Sequence, residues 1–216
     1  MTDTNVEVDS EPRPRSAQKR RAILEAGTVL FLRDGYLATS MDQVAAAAGV
    51  SKQTVYTQFG DKESLFCKIV ADVVDEVADP VSAEVARLAD TKNLAVDLRR
   101  LAHQLLAQVV QPRVMQLRRL VIGEAGRFPE LGGLFYERGP GRTIEGLATT
   151  FERLAAKGAL VLSDPKLAAA HFNWLVMSIP VNRLMFLGDE HLPSAAEMKR
   201  YADEGVRAFL AAYGNA

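Results

Sequence analysis

The sequence predicts an all-α protein in two parts, a small N-terminal helical domain joined by a long fourth helix to a larger C-terminal helical bundle. Three observations predict it. From residue 17 onward, apolar side chains recur at intervals of three and four, the period of a helix with one buried face. Most glycines and prolines fall at the edges of these stretches, as at Gly35, Gly49, Gly60, Pro112 and Pro165. No alternating run of useful length marks a strand, and there is no internal repeat and no sustained heptad pattern.

Composition excludes several classes. The chain has 216 residues, 48% hydrophobic and 25% charged, with a net charge of -1. These are globular proportions, far from those of a collagen-like, low-complexity or wholly disordered chain. A single cysteine, Cys67, excludes an intramolecular disulfide framework. Beside Leu65, Phe66 and Ile69 it reads as a small buried hydrophobe. The segment MTDTNVEVDSEPRPR lacks the apolar run of a signal peptide. The longest uncharged stretch, Leu167 to Asn182, has sixteen residues. That is short of the roughly 18 that mark a membrane span. The expected compartment is the cytoplasm, with no membrane partner.

Residues 1–16 carry four acidic groups and two prolines and read as a disordered tail. Charge then reverses. Arg13, Arg15, Lys19, Arg20 and Arg21 place five positive charges in nine residues, which points to a polyanion nearby. The first helix buries Ile23, Ala26, Gly27, Leu30 and Phe31 and ends at Gly35. Ser40 with Gln43 three residues later is a capping box for a short second helix that stops at Gly49. A third helix follows Ser51 and closes at Phe59-Gly60. Asp61 caps a fourth, expected over 62–78 and ending before Pro80. Further helices are expected near 81–89, 93–110, 113–126, 130–157, 165–187 and 194–212.

Residues 40–59 hold the informative pattern: two short helices joined by a glycine-containing turn, which is a helix-turn-helix. Ala45 is small where the helices cross, and Val50 and Val55 are apolar where the second packs on the first. The remaining positions of that second helix, Lys52, Gln53, Thr54, Tyr56, Thr57 and Gln58, are polar or aromatic, and none is acidic. Gln and Lys can address base edges in a major groove, while Thr, Tyr and Lys can hold phosphates. Thr39 and Ser40 place hydroxyls at the start of the preceding helix, as a phosphate site would.

The segment resembles the DNA-binding domain of the TetR family of transcriptional regulators, with its G-V-S-[KR]-x-T-[LV]-Y-x-x-F-x-x-K-E-x-L signature. Gly49, Val50, Ser51, Lys52, Thr54, Val55, Tyr56, Phe59, Lys62, Glu63 and Leu65 match it. The stretch RRAILEAGTVLFLRDGYLATSMDQVA is similar to the family's first helix and the start of its second, so the resemblance covers residues 17–70. IGEAGRFPELGGLFYERGP (122–140) resembles one broad C-terminal subgroup. After the tail read from composition (1–16), the resemblance implies a DNA-binding domain (17–63) and a ligand-binding and dimerisation domain (64–216). It implies that Thr39, Tyr56 and Lys62 grip phosphates and that Lys52, Gln53, Thr54 and Thr57 face the groove. The family often has Gly where this chain has Gln53, so base preference does not carry over. Two recognition helices related by a two-fold axis would read a palindromic duplex, with half-sites about 34–36 Å apart or somewhat more.

In the C-terminal part, Leu167 to Pro180 is apolar nearly all round, so both faces need cover. One face packs within the bundle, and the other is expected to meet a second copy. Phe172, Leu175, Val176, Ile179, Val206, Phe209 and Leu210 are the expected dimer residues. Polar groups on apolar helices suggest cavity walls, and His103, Gln104, Arg118, Asn173, Trp174 and Met177 are the candidates for binding a small hydrophobic or amphipathic ligand. No metal-ligand spacing, nucleophile elbow or phosphate loop is present, so no cofactor and no enzymatic activity are expected. The function these features predict is a sequence-specific, homodimeric transcriptional regulator, a repressor released from DNA by a ligand that tilts the fourth helix.

Overall fold

The computed structural model describes residues 14–215; the expected tail over 1–13 lies outside them. Residues 14–16 belong to a helix instead, because Pro14 begins it, a position where the missing proline N–H costs nothing. The described residues are helical almost throughout, and their only extended pairing is an isolated bridge between Leu160 and Gly214.

The chain divides into two compact units, one ending at Ile69 and the other beginning at Val70. In the first, α1 (Pro14–Ala38) is interrupted at Gly35, whose φ of 81° allows the turn toward α2 (Met41–Ala47). Then come α3 (Lys52–Phe59) and α4 (Lys62–Arg87). The capping box at Ser40 is present in both directions. The core holds an aromatic trio: Phe66 lies 4.8 Å from Phe31 and 5.2 Å from Tyr36, between ring centroids. Because Leu65, Phe66 and Ile69 pack here, the unit extends to Ile69 rather than to residue 63. Gly27 lets α1 and α4 approach closely; a Cβ there would sit 2.8 Å from Ile69 Cδ1.

Two expectations about helix boundaries fail. The fourth helix does not stop before Pro80 but runs unbroken to Arg87. An interior proline costs about 3 kcal/mol. Burial of Val81 and Val85 on the same helix, and of Leu88 in the 3-10 turn that follows it, returns about 1.5 kcal/mol or more apiece, so packing wins. The expected helix over 130–157 is in fact α7 (Pro129–Tyr136) and α8 (Arg142–Ala156), separated by a π-helical turn at Glu137–Gly141. Pro140 cannot donate to the preceding turn, and the chain widens around it. Gly141 is required at the exit, since a Cβ would lie 2.9 Å from Tyr136 O.

The second unit also contains α5 (Leu94–Val109), α6 (Pro112–Glu124), α9 (Pro165–Leu187) and α10 (Ala195–Tyr213). Its core centres on Phe151, Phe172 and Phe209, all fully enclosed, with Phe172 edge-on to both other rings at 5.9 and 5.3 Å. Gly205 brings α10 against α9; a Cβ there would sit 3.0 Å from Leu175 O. This packing corrects four expected dimer residues. Phe172, Val176, Val206 and Phe209 are 0–1% exposed within one protomer and have no surface to offer a second copy. Leu210 is half-buried against the same core. Leu175 and Ile179, at 44% and 58% exposed, do face outward, as does Phe186 at 83%. Cys67 is half-buried rather than enclosed.

Gly141→Ala is expected to lower stability by about 1–3 kcal/mol, since the added methyl meets a backbone oxygen that cannot move aside cheaply. Chemical unfolding would read the loss; unchanged stability would mean that the π turn is not required.

Candidate nucleic-acid interface and internal cavity

The short α3 is fixed from within. Val55 is fully buried and Phe59 is 8% exposed, so the opposite side of the helix must face out. Ser51 caps its start by accepting from Thr54 N at 3.2 Å and sharing a hydroxyl hydrogen bond with Thr54 at 2.8 Å. Gly49, at φ 64°, makes the turn before it. At the far end Arg20 of α1 donates to Gln58 O at 3.2 Å and lies 4.5 Å above the Phe59 ring. Lys52, Gln53, Tyr56 and Thr57 are therefore the exposed set. Thr54 is half-buried in the cap, and Gln58 is half-buried and donates to Ser16 at 3.2 Å, so neither is as free as the sequence suggested.

Charge at this surface is lightly tethered. Lys52 Nζ lies 2.8 Å from Asp42 Oδ1, both well exposed. The hydrogen bond to Asp42, and then its charge, hold the Lys52 ammonium above its ordinary pKa, so it is a full cation at neutral pH. An exposed pair of this kind is weak, and a phosphate can take Asp42's place. Arg15, Lys19 and Arg21 line the exposed side of α1.

Three expected phosphate contacts are occupied by the fold itself. Thr39 is 1% exposed, and its hydroxyl donates to Gly35 O at 2.8 Å, which takes its side chain away from any duplex. The Ser40 hydroxyl is engaged in the capping box with Gln43. Lys62 is half-buried. Its ammonium donates to Tyr36 O and to Thr39 O, both at 3.0 Å, and sits 4.4 Å above the Tyr36 ring. Two of its three N–H groups thus clamp the end of α1 to the approach to α2, and one remains.

The second unit holds a narrow cavity of about 40 Å³, partly open to solvent. Val74, Val77, Ala78 and Val81 of α4 form one wall; the π turn and the start of α8 supply Gly139, Pro140 and Thr143. Of the six ligand residues expected from sequence, Arg118, Asn173 and Met177 line it. His103 instead pairs with Asp203 at 2.9 Å, and Gln104 donates to Pro80 O at 3.3 Å, because they project from other sides of α5. Trp174 is 39% exposed and lines an outer recess that shares Arg118, Phe135 and Pro140 with the cavity. Sequence reasoning missed the α4 wall, because Pro80 read as a helix end, and the π turn, whose glycines and proline were the available signal.

Two polar side chains of the cavity carry unsatisfied atoms. Asn173 is 0% exposed, and neither its Oδ1 nor its Nδ2 has a hydrogen-bond partner. Arg118 Nε is sealed from solvent and likewise unpartnered. Burial pushes the Arg118 guanidinium below its ordinary pKa. Each buried orphan of this kind costs about 1–3 kcal/mol, more when charged.

Residues 23–69 match the profile described as bacterial regulatory proteins of the tetR family, and residues 96–215 match that of the AefR-like transcriptional repressor C-terminal domain. A TetR-family transcriptional regulator from Mesorhizobium loti is similar over 94% of this chain and 100% of its own, at 40% identity and a TM-score of 0.87. The flavonoid-responsive regulator FrrA is 32% identical, with a TM-score of 0.70, over 92% of this chain and 98% of its own. Among curated proteins, the HTH-type regulator YhgD of Bacillus subtilis is 45% identical over 62 residues, which are 29% of this chain and 32% of YhgD. The match thus spans about a third of that relative's length.

Lys62→Met keeps the aliphatic stem but leaves the Tyr36 and Thr39 carbonyls without their donor. Stability of the first unit is expected to fall by about 1–3 kcal/mol, with faster amide exchange over residues 36–47. Unchanged exchange would show that the clamp is idle.

Proposed function

The chain belongs to the TetR family of transcriptional regulators, and from that premise we propose that it is a homodimeric repressor released from a palindromic operator by a small molecule. It carries the family's helix-turn-helix DNA-binding domain and is a regulator rather than an enzyme. The observation that carries the proposal is the outer face of α3, where Lys52, Gln53, Tyr56 and Thr57 stand exposed with no carboxylate among them. Gln53 reads base edges; Lys52, Tyr56 and the remaining N–H of Lys62 hold phosphates; Thr57 borders the groove. Thr39 and Ser40 act by shaping the start of α2.

Two copies pair through the outward faces of α9 and α10, with Leu175 and Ile179 at the contact. The cavity is the effector site, and α4 connects it to the DNA-binding unit, since Val74, Val77 and Val81 share that helix with Lys62. An effector acts by binding the DNA-incompetent arrangement more tightly than the competent one. The repressor description of the matched C-terminal profile supports the sign of control, and FrrA's response to flavonoids supports a small-molecule effector.

Selection from random duplex DNA is expected to return a palindrome. Against that site, Lys52→Ala should weaken binding to all sequences and reduce the slope of log affinity against log salt by about 1. Gln53→Ala should instead relax preference at one position per half-site. No preference for any duplex at low ionic strength would overturn the reading.

Ile179→Asp is expected to shift sedimentation at micromolar concentration from dimer to monomer and to abolish operator binding. A wild-type protein that sediments as a monomer would remove the dimer from the proposal.

A further inference from the structure

The cavity of the second unit is apolar except at three side chains, Arg118, Thr143 and Asn173, and no carboxylate lines it. Other arginines on the same helix are matched. Arg113 reaches Glu76 at 3.3 Å, and Arg119 reaches Asp189 at 2.8 Å and Leu184 O at 2.9 Å. Arg118 has no such carboxylate among the described residues. Its guanidinium carbon lies 5.4 Å from the centre of the Phe135 ring, and its Nε is buried without a partner. Burial alone lowers its pKa, with no neighbouring negative charge to offset it. Across the same space, the fully enclosed amide of Asn173 offers both a donor and an acceptor to nothing in the protein.

A core selected for stability fills such positions with apolar side chains, or pairs the charge. Arg118 is half-buried with its Nε sealed, and Asn173 is fully enclosed, so a group that met both would complement this lining. A neutral apolar ligand would leave both unmet. A phosphate ester, doubly charged, calls for more cationic donors than the one this lining holds.

We propose that the cavity takes an amphipathic monocarboxylic acid: its carboxylate completes the ion pair that Arg118 lacks, Asn173 hydrogen-bonds a ligand oxygen, and an apolar body lies against Val77, Leu105 and Met177. The inference rests on the reading of this cavity as the effector site, and it names the chemistry of the effector. The outer recess bounded by Trp174 shares Arg118 as a wall, so the guanidinium is reachable from that side.

The test follows thermal unfolding of the full chain with octanoate, cinnamate and phenylacetate, each beside its methyl ester, and then release of the selected operator. At least one acid is expected to raise Tm in a concentration-dependent way and to release DNA. Its ester should need about tenfold more, or greater, for the same shift. Arg118→Met and Asn173→Leu should each raise Tm without ligand, and Arg118→Met should lose the response to the acid. Esters acting as well as acids, or an Arg118→Met variant that responds fully, overturn the carboxylate assignment while the effector reading survives. A lower Tm for both variants overturns it as well, because the polar groups are then structural. Silence from every acid and ester overturns both the assignment and release by a ligand at this cavity, and the operator-binding reading stands.

Discussion

Val55 and Phe59 fasten α3 by its inner face, and the surface chemistry of the first unit depends on that grip. A helix of eight residues has too few internal hydrogen bonds to be stable alone. It is held by buried apolar area, by the cap at Ser51 and by Arg20, which lies over Phe59 and hydrogen-bonds Gln58 O. Rotating such a helix by one residue would bring Tyr56 inward and Val55 out. The outward set Lys52, Gln53, Tyr56 and Thr57 is thus a direct result of where two apolar side chains fall.

The second unit obeys a different constraint. Its aromatic centre at Phe151, Phe172 and Phe209 is packed without orphaned polar groups, whereas the cavity beside α4 and the π turn keeps several. The π turn and the cavity belong together. A regular helix through 137–141 would draw Gly139 and Pro140 into a narrower turn and reshape one wall. Irregular backbone and unmet polar atoms in one place are the features on which the proposed effector site rests, where recognition would be gained at the expense of fold stability.

What was legible in the sequence was local. The capping box at Ser40–Gln43, the turn at Gly49 and the inward Val55 each follow from residues a few positions apart, and the first three helices follow from them. What was hidden depended on distant partners. Pro80 reads as a stop until the burial of Val81, Val85 and Leu88 is known. Phe172 and Val176 lie on an all-round apolar helix, and periodicity cannot say whether α10 of the same chain or a second copy covers them. Lys62 matches the signature and Thr39 lies in a stretch that resembles the family, but only the fold shows that much of their hydrogen-bonding capacity is spent inside the protein.

The position of Lys62 also limits how this part of the chain can diverge. Its ammonium is a compact donor that meets two converging carbonyls while resting on the Tyr36 ring. A planar guanidinium spreads its donors along a fork and does not reproduce that convergence. Acetylation would remove the charge and leave a single donor for two acceptors. Half-exposed as it is, the residue tolerates exchange no better than a core position does, and neither the commonest like-charged replacement nor lysine acylation can be absorbed there without loosening the start of α2.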